Sequence, residues 1–492
     1  MAAALALAVY AVLLAGAAFV VWRRPTLALY AFVVGLAAHN SVMAALYVGG
    51  VRGSALTAIQ AWKEILLAVA VARVVLDAAR ARRLPFRPRA VDWLALAFGA
   101  LLVVYALIPQ SALGGLADRK AVLYALRHDG VPVVAFLLFR ALRLDRAERL
   151  RLAWTVLGTA AAVAAIGLLD VYLVPIGWWR GNGVADYFNK QLGYDYHGTG
   201  RLPENFIYNT GSEAHFLRRL VSVFLSPLAA GYLMVVALLL APRRRLAVPL
   251  AALAFAGLLF TFSRSSLLAL AAGLVVLAVA RRTFVPVAVA VVVVAIGIGW
   301  ASVFPKIGPT GHWTKADLVY QHQIAEQKGP ASGSALSDRE PSIHSHLANL
   351  REGIRTVVHH PQGFGLGNAG QTASRNGTPL KAGESNYTEI GAEIGVLGAV
   401  LWLAWGLAVL VGLLGTARAG GDAIVAGMAG AFAAILALAV QTDVIGDPWV
   451  AYCVWGLAGG MLFATVEGDE LAHVPGAPVA VGAIAGRRAD ST

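Results

Sequence analysis

Charged residues at the edges of long apolar segments are the first candidates for chemistry in this sequence. Arg218 and Arg219 open a predicted helix over 219–241, and Arg264 lies between two apolar segments in TFSRSSLLAL. A charge in a membrane segment costs roughly 2.5–3.5 kcal/mol on insertion scales, which favours a functional role. Because the planar guanidinium group pairs well with phosphate, two arginines at one depth predict a site for a lipid-linked phosphate or pyrophosphate. The alternative is that these side chains extend to the lipid headgroups.

A glycine-rich segment is the second candidate. The sequence HHPQGFGLGNAG covers residues 359–370 and is followed by GESNYTEIGAEIGVLGAVLW over 383–402. Gly363, Gly365 and Gly367 allow tight turns and a close approach of the backbone. No predicted strand precedes them, so the segment is not a dinucleotide-binding loop.

Glu384 lies just before a predicted helix, with Ser385 as its N-cap residue. Its carboxylate has two interpretations. It interacts favourably with the helix dipole, or it acts as a general base at the boundary between water and membrane, near the arginines. A free glutamate has a pKa near 4.3 and is a weak base, and partial burial would raise that pKa toward neutrality.

Two further groups of charged residues lie inside predicted helices. Lys63 and Glu64 are in the third helix, and Arg127, His128 and Asp129 are in the fifth. These side chains either pair with one another inside the bundle or line a path for a carrier or an acceptor.

The polar segment before the glycines adds weaker candidates. Arg351 and Arg355 are one helical turn apart, so both are expected to face the same site. His344 and His346 lack the accompanying spacing of a zinc site, so no metal or other cofactor is expected.

The composition predicts that the chain is an integral membrane protein, whose helices must position these residues. The chain has 492 residues, of which 59% are hydrophobic and 14% charged, and its mean hydropathy is +0.69. A soluble domain carries roughly 25% charged residues. A chain this long and this poor in charge could not cover a surface that faces water. The predicted fold class is therefore an all-α polytopic helical bundle.

The apolar segments predict 12–13 transmembrane helices, since about 20 helical residues cross a bilayer. The predicted spans are 2–22, 26–48, 55–78, 91–109, 121–142, 152–175, 219–241, 246–262, 265–280, 284–303, 387–415, 422–441 and 449–466. They give N-terminal helices over 1–176, central helices over 219–303 and C-terminal helices over 387–466. Long loops cover 177–218 and 304–386, and the tail over 467–492 is predicted to be disordered.

The net charge of +13 is interpreted as topology rather than nucleic-acid binding. Arginine clusters recur at alternate ends of the apolar segments, at Arg23–Arg24, Arg80–Arg89, Arg140–Arg151, Arg243–Arg245, Arg281–Arg282, Arg418 and Arg487–Arg488. This spacing predicts a cytoplasmic face. By parity, both long loops and the candidate residues then lie on the outer face.

Taken together, the motifs resemble those of the O-antigen ligase and polymerase superfamily of bacterial membrane glycosyltransferases. Three segments carry the resemblance in the family's order. They are Arg219 through Ser226-Pro227, then Ser263-Arg264, and then His360-Pro361-x-Gly363-x-Gly365-x-Gly367 with Glu384-Ser385-Asn386-Tyr387 and Glu393-x-Gly395-x-x-Gly398. The third is the most specific.

The resemblance implies a GT-C-like bundle with a large extracytoplasmic loop, in the bacterial cytoplasmic membrane. The implied activity transfers a glycan from a polyprenyl (di)phosphate carrier to an acceptor hydroxyl, without metal. From the chemistry of that transfer we predict direct displacement with inversion. Arg219 and Arg264 would grip the pyrophosphate, with Arg218 as a competitor for the first role, and Glu384 would be the base. The implied partners are a polyprenyl-linked glycan donor, a saccharide or glycolipid acceptor and the bilayer.

Glu384, Arg264 and Arg219 are the predicted catalytic residues. The residues expected to bind substrate are Arg218, Ser263, Arg351, Arg355, His360, Gly363, Gly365, Gly367, Asn386 and Tyr387. The ligase branch has a histidine where this chain has Glu384, so polymerase and ligase both stay open. A transporter or flippase of lipid-linked sugars is the alternative. It explains the bundle and the charges within it, but not the concentration of polar motifs at one face.

Overall fold

The computed structural model describes residues 2–194, 202, 205–210, 212–328, 341–379 and 385–463. Its α-helices are α1 (Ala2–Arg23), α2 (Leu27–Val48), α3 (Gly53–Gln60), α4 (Trp62–Arg80), α5 (Ala90–Leu107), α6 (Arg119–Leu142), α7 (Arg146–Leu173), α8 (Ile176–Gly181), α9 (Val184–Asp186), α10 (Pro227–Leu240), α11 (Ala247–Phe260), α12 (Arg264–Arg281), α13 (Val285–Ile307), α14 (Lys315–Lys328), α15 (Pro341–His359), α16 (Gly370–Arg375), α17 (Asn386–Gly420), α18 (Ala423–Leu438) and α19 (Trp455–Met461).

Short 3-10 turns occur at Gln110–Leu113 and Ser222–Phe224, and π-helical turns at Tyr187–Gln191 and Val450–Val454. The second π-helical turn runs directly into α19.

The helices confirm the predicted fold class. Among the described residues, eight helices are long and apolar enough to cross a bilayer, namely α1, α2, α5, α6, α7, α12, α13 and α17. Four shorter apolar helices, α10, α11, α18 and Val450–Met461, lie among them. The total number of membrane crossings stays a prediction.

Small residues let the helices of the bundle approach closely. A Cβ atom on Gly273 of α12 would lie 2.7 Å from the carbonyl oxygen of Gly430 in α18. A Cβ atom on Gly459 of α19 would lie 2.3 Å from the carbonyl oxygen of Phe136 in α6. Such contacts are how helices associate where lipid removes the hydrophobic driving force. They bring α12 close against α18 and α6 close against α19.

Three strands join the two long loops. β1 (Ile207–Tyr208), β2 (His215–Arg218) and β3 (Thr310–His312) form an antiparallel sheet in the order β1-β2-β3. We name the end of the bundle that carries this sheet and the glycine-rich segment 360–370 the loop face. The opposite end carries the arginine clusters, where Arg149 pairs with Asp422 at 2.8 Å.

Two predicted helices are wrong in detail. The helix predicted over 219–241 begins only at Pro227, because Ser226 caps it by accepting a hydrogen bond from the Ala229 N–H, and Arg218 ends strand β2 instead. The helix predicted over 55–78 is divided at Ala61 into α3 and α4. The first correction decides which arginine reaches the site.

Candidate functional site

Arg219 is fixed to the turn between α11 and α12. Its backbone N–H donates to the Phe206 carbonyl at 3.0 Å, and its Nε donates to the Thr261 carbonyl at 2.8 Å. The same turn continues into Ser263 and Arg264, the first residue of α12. The structure therefore brings Arg219 and Arg264 together from segments that are 45 residues apart in the sequence.

The two arginines form a site of concentrated positive charge. Burial and then the charge of Arg264 lower the pKa of Arg219 to about 10. Ser263 caps α12, since its Oγ accepts the Ser266 N–H at 3.3 Å. The N-terminus of α12 thus adds the positive end of a helix dipole beside Arg264. All three features favour a phosphate group.

Arg218 faces away from this site. It pairs with Asp170 of α7 at 3.6 Å, and both side chains are buried. Its guanidinium group also donates to the carbonyl oxygens of Val174 and Asp170. Successive side chains of an extended strand point in opposite directions, so only one of the two arginines can turn toward Arg264. Arg219 is that residue.

A buried cluster of polar side chains surrounds His128 on the same face. Its Nδ1 lies 2.7 Å from Asp129 Oδ1, and its Nε2 lies 3.0 Å from Asp443 Oδ2. Asn386 Nδ2 donates to the other oxygen of Asp443 at 2.6 Å. We call these residues, together with Glu389, the His128 cluster. The ligand atoms of His128, Glu389 and Asp443 all lie within 4.8 Å of one another, so among the described residues these three form a group that could hold a metal ion.

Tyr232 of α10 lies near both Arg219 and the His128 cluster. Its side chain hydrogen-bonds to Thr442, and it lies within the electrostatic influence of Arg219 and Asp443. Asp443 is a functional candidate that sequence reasoning missed. The polar run QTDVIGDPW between the last two apolar segments was the available signal.

The glycine-rich segment packs into a break in α17. The backbone of α17 is non-helical at Ile394 and Gly395. There the Phe364 N–H donates to the Ala392 carbonyl at 2.7 Å, and the Val396 N–H donates to the Pro361 carbonyl at 2.9 Å. Because these bonds replace those that the helix gives up, the segment and the broken helix stabilise each other.

Glu393 holds the far end of this segment, where its Oε1 accepts the N–H groups of Gly367 at 2.8 Å and Ala369 at 3.3 Å. Gly363, Gly365 and Gly367 are all buried and have φ angles of +74°, +91° and +81°. The structure thus places these glycines against the protein interior, where they shape the loop.

Replacing Gly363 by alanine is expected to destabilise the protein more than replacing Gly377 by alanine. Both residues have positive φ angles, which cost a non-glycine residue roughly 1–2 kcal/mol. A Cβ atom at position 363 would also lie 2.5 Å from the Glu393 carbonyl oxygen, whereas nothing lies within 4 Å at position 377. The melting temperatures of the two purified variants test this, and equal values would contradict the packing argument.

The remaining candidates from the sequence are dispersed over the loop face. His360 packs its ring on Phe364, with ring centroids 4.3 Å apart. The Tyr387 hydroxyl donates to the Leu436 carbonyl at 3.1 Å. Arg351 and Arg355 are exposed on α15. Glu384 and the predicted tail over 467–492 lie outside the described residues.

Asp447 makes the stability of the folded protein depend on pH. Burial raises the pKa of this carboxyl group from 3.8 to about 6, although the Trp449 N–H, which donates to it at 2.7 Å, opposes the shift. The folded protein therefore holds this proton more tightly than the unfolded chain does. The ionised group costs stability above about pH 6, and that cost shrinks as the pH falls toward 4.

Asp447→Asn is accordingly expected to raise the melting temperature by several degrees at about pH 7.5, and by much less near pH 4, because asparagine keeps the hydrogen bond without the charge. Differential scanning fluorimetry measures both values. Asp186→Asn, at an exposed residue, is the control. An equal gain at both pH values would contradict the prediction.

The comparisons with known proteins identify one part of the chain. Residues 249–403 match the family model described as O-antigen ligase. The matched range includes Ser263, Arg264 and the glycine-rich segment, and excludes Arg219 and Asp443. The search of curated proteins found no match. The match confirms the resemblance that the motifs indicated.

Proposed function

The chain carries an O-antigen ligase domain, and from this premise we propose that it transfers a glycan from a polyprenyl diphosphate carrier to an acceptor hydroxyl. The observation that carries the proposal is the meeting of Arg219 and Arg264 at the N-terminus of α12. Like charges do not gather in a partly buried place without cost, and a bound diphosphate would offset that cost.

The reaction needs little more than electrostatic stabilisation and a proton acceptor. The acceptor oxygen attacks the anomeric carbon, and the bond from that carbon to the phosphate oxygen breaks. The carrier diphosphate leaves with the electron pair, and the two guanidinium groups stabilise the charge that develops on it. Direct displacement inverts the anomeric centre. No metal ion takes part in this scheme.

We assign to Glu384 the role of the general base, which takes the proton from the attacking acceptor hydroxyl. The sequence places Glu384 just before α17. The His128 cluster holds the start of that helix. Asn386 donates to Asp443 and accepts the Val444 N–H at 2.9 Å, and Ser385 Oγ donates to the Ala439 carbonyl at 3.2 Å. The cluster therefore acts as a support that fixes the beginning of α17 beside the polar end of α18.

The positive-inside rule supports an extracytoplasmic location for this chemistry. The arginine clusters lie at the end of the bundle opposite the loop face, and such clusters favour the cytoplasmic side. We therefore propose that the protein lies in the bacterial cytoplasmic membrane, with its site on the extracytoplasmic side. A saccharide or glycolipid would reach the site from there.

A transfer assay tests the proposal. The purified full-length protein is mixed in detergent with a radiolabelled polyprenyl-linked glycan and an acceptor. The expected products are the glycosylated acceptor and free polyprenyl diphosphate, in equal amounts, and their formation should persist in excess EDTA. Movement of intact carrier across reconstituted vesicles, without bond cleavage, would instead support a transporter and overturn the proposal.

A further inference from the structure

A second group of cations lies on the loop face, apart from Arg219 and Arg264. Lys63 of α4 and Arg127 of α6 share the carboxylate of Glu64. Lys63 Nζ lies 3.5 Å from Glu64 Oε2, and Arg127 reaches Glu64 Oε1 at 3.5 Å. The break at Ala61 contributes here, because Lys63 Nζ also donates to the Gln60 carbonyl at 2.8 Å.

Three cationic side chains lie close to the ring of Tyr124. The charged groups of Lys120, Arg127 and Arg375 lie 5.8, 5.1 and 5.8 Å from its centroid. Arg375 also lies 5.1 Å from the ring of Tyr194. Aromatic faces attract cations, so the ring holds these groups near one another in spite of their mutual repulsion. We call Lys63, Lys120, Arg127 and Arg375 the second cationic site.

Among the described residues, the second cationic site has more cations than carboxylates within ion-pair distance. In the part of the chain that the structure describes, Glu64 is the one carboxylate within ion-pair distance of the four cations. Lys63 is only 6% exposed, so water does little to screen it. Four cations around one paired carboxylate, in a partly desolvated place, favour a bound anion. The Asp129 and Asp443 carboxylates of the neighbouring His128 cluster are already held by hydrogen bonds to His128 and Asn386.

The second cationic site borders the same buried cluster as the arginine pair. Arg127 directly precedes His128 in α6. The Tyr194 hydroxyl hydrogen-bonds to Gln371 at 3.2 Å. A Cβ atom on Gly446 would lie 3.0 Å from Gln371 Cδ and 2.3 Å from Asp443 Oδ2, so Gln371 lies beside Asp443. Tyr232 hydrogen-bonds to Thr442, which directly precedes Asp443, and it lies near Arg219. Two cationic sites thus flank one polar cluster.

We propose that the second cationic site binds an anionic group, a phosphate or a carboxylate, of the acceptor saccharide. This assignment rests on the proposed transferase function, which requires a second substrate whose hydroxyl is brought to the donor. Anchoring the acceptor by its charge fixes its position and converts part of its binding energy into orientation. A neutral acceptor would lack this charge pairing and would gain only hydrogen bonds from these residues.

Counting anion sites tests the proposal without any transfer reaction. The full-length protein in an uncharged detergent is titrated with inorganic pyrophosphate by calorimetry. We expect two sites in the wild type, one in Arg127→Gln with Arg375→Gln, and one in Arg219→Gln with Arg264→Gln. Lys190→Gln with Lys315→Gln removes two exposed charges and should keep both sites. Two sites remaining in the Arg127 and Arg375 variant would overturn the inference.

Kinetics with an anionic acceptor give the second readout. The Arg127 and Arg375 variant is expected to raise the KM for the acceptor at least tenfold and to leave the KM for the donor unchanged. A change confined to the donor KM would overturn the inference. If that variant does not fold, Lys120→Gln replaces it, because Lys120 is exposed, and should weaken acceptor binding about threefold.

The two proposals fail in different ways. Loss of a pyrophosphate site only in the Arg219 and Arg264 variant would support the donor site and overturn the acceptor site. A pyrophosphate site that is lost only in the Arg127 and Arg375 variant supports the second site even if no glycan transfer is detected. Replacing zwitterionic lipid with anionic lipid in nanodiscs should leave the site count at two, and a fall to one would show a lipid headgroup as the occupant.

Discussion

Arg264→Gln and Arg219→Gln are each expected to lower kcat/KM for glycan transfer by at least about a hundredfold. Removing one preorganised donor from a developing oxyanion typically costs a factor of roughly 10²–10³. Arg219 has the further constraint that its Nε already donates to Thr261, which orients the guanidinium group. Arg219→Lys and Arg264→Lys keep the charge and lose the planar fork, so they should recover only part of the activity. Single-turnover transfer from a labelled donor measures each effect.

Arg218→Gln combined with Asp170→Asn is the matched control for these variants. It removes the buried ion pair of Arg218, the last residue of β2, which directly precedes Arg219. We expect a lower melting temperature and nearly unchanged transfer per folded molecule. If this double variant lost activity as completely as Arg219→Gln, proximity to the strand rather than contact with the diphosphate would explain the losses, and the assignment of Arg219 would be wrong.

Glu384→Gln is expected to lower kcat by roughly 10²–10⁴ while donor binding stays unchanged, because a positioned general base contributes a factor of that size. The amide has nearly the shape of the carboxylate but cannot accept the proton. Donor binding is measured by titration of a fluorescent polyprenyl diphosphate, and kcat by the transfer assay. Full activity in the variant would refute the role of Glu384 as the base.

The variant His128→Gln distinguishes the proposed base, Glu384, from the His128 cluster that positions it. Glutamine can still donate to Asp443, the partner that His128 Nε2 contacts at 3.0 Å, so the start of α17 should remain in place. We expect a fall in kcat smaller than that of Glu384→Gln. The reverse order, with His128→Gln inactive and Glu384→Gln active, would assign the proton transfer to His128.

Hydropathy by itself predicted the fold class and most helix positions. Predicted spans such as 2–22 and 284–303 differ by a few residues from α1 and α13. This works because lipid offers no hydrogen-bond partners, so each apolar segment must satisfy its own backbone as a helix. The motifs around Arg264 and Gly363 likewise indicated the family, because their residue types and order are local properties of the chain.

Only the tertiary structure decided which polar residues meet. The pair Arg218 and Arg219 is ambiguous in the sequence, and the choice depends on strand β2, whose register opposite β3 directs alternate side chains to opposite sides. Asp443 and His128 are 315 residues apart and meet through the packing of α6 against the last helix.

The glycines show the same division between sequence and structure. Their spacing predicted tight turns, yet their burial against the break at Gly395 depends on two segments that fold around each other. Local sequence sets the conformations that a residue can adopt and the segments that enter the bilayer. The neighbours of a polar side chain are set by long-range packing between helices, and no local pattern encodes that packing.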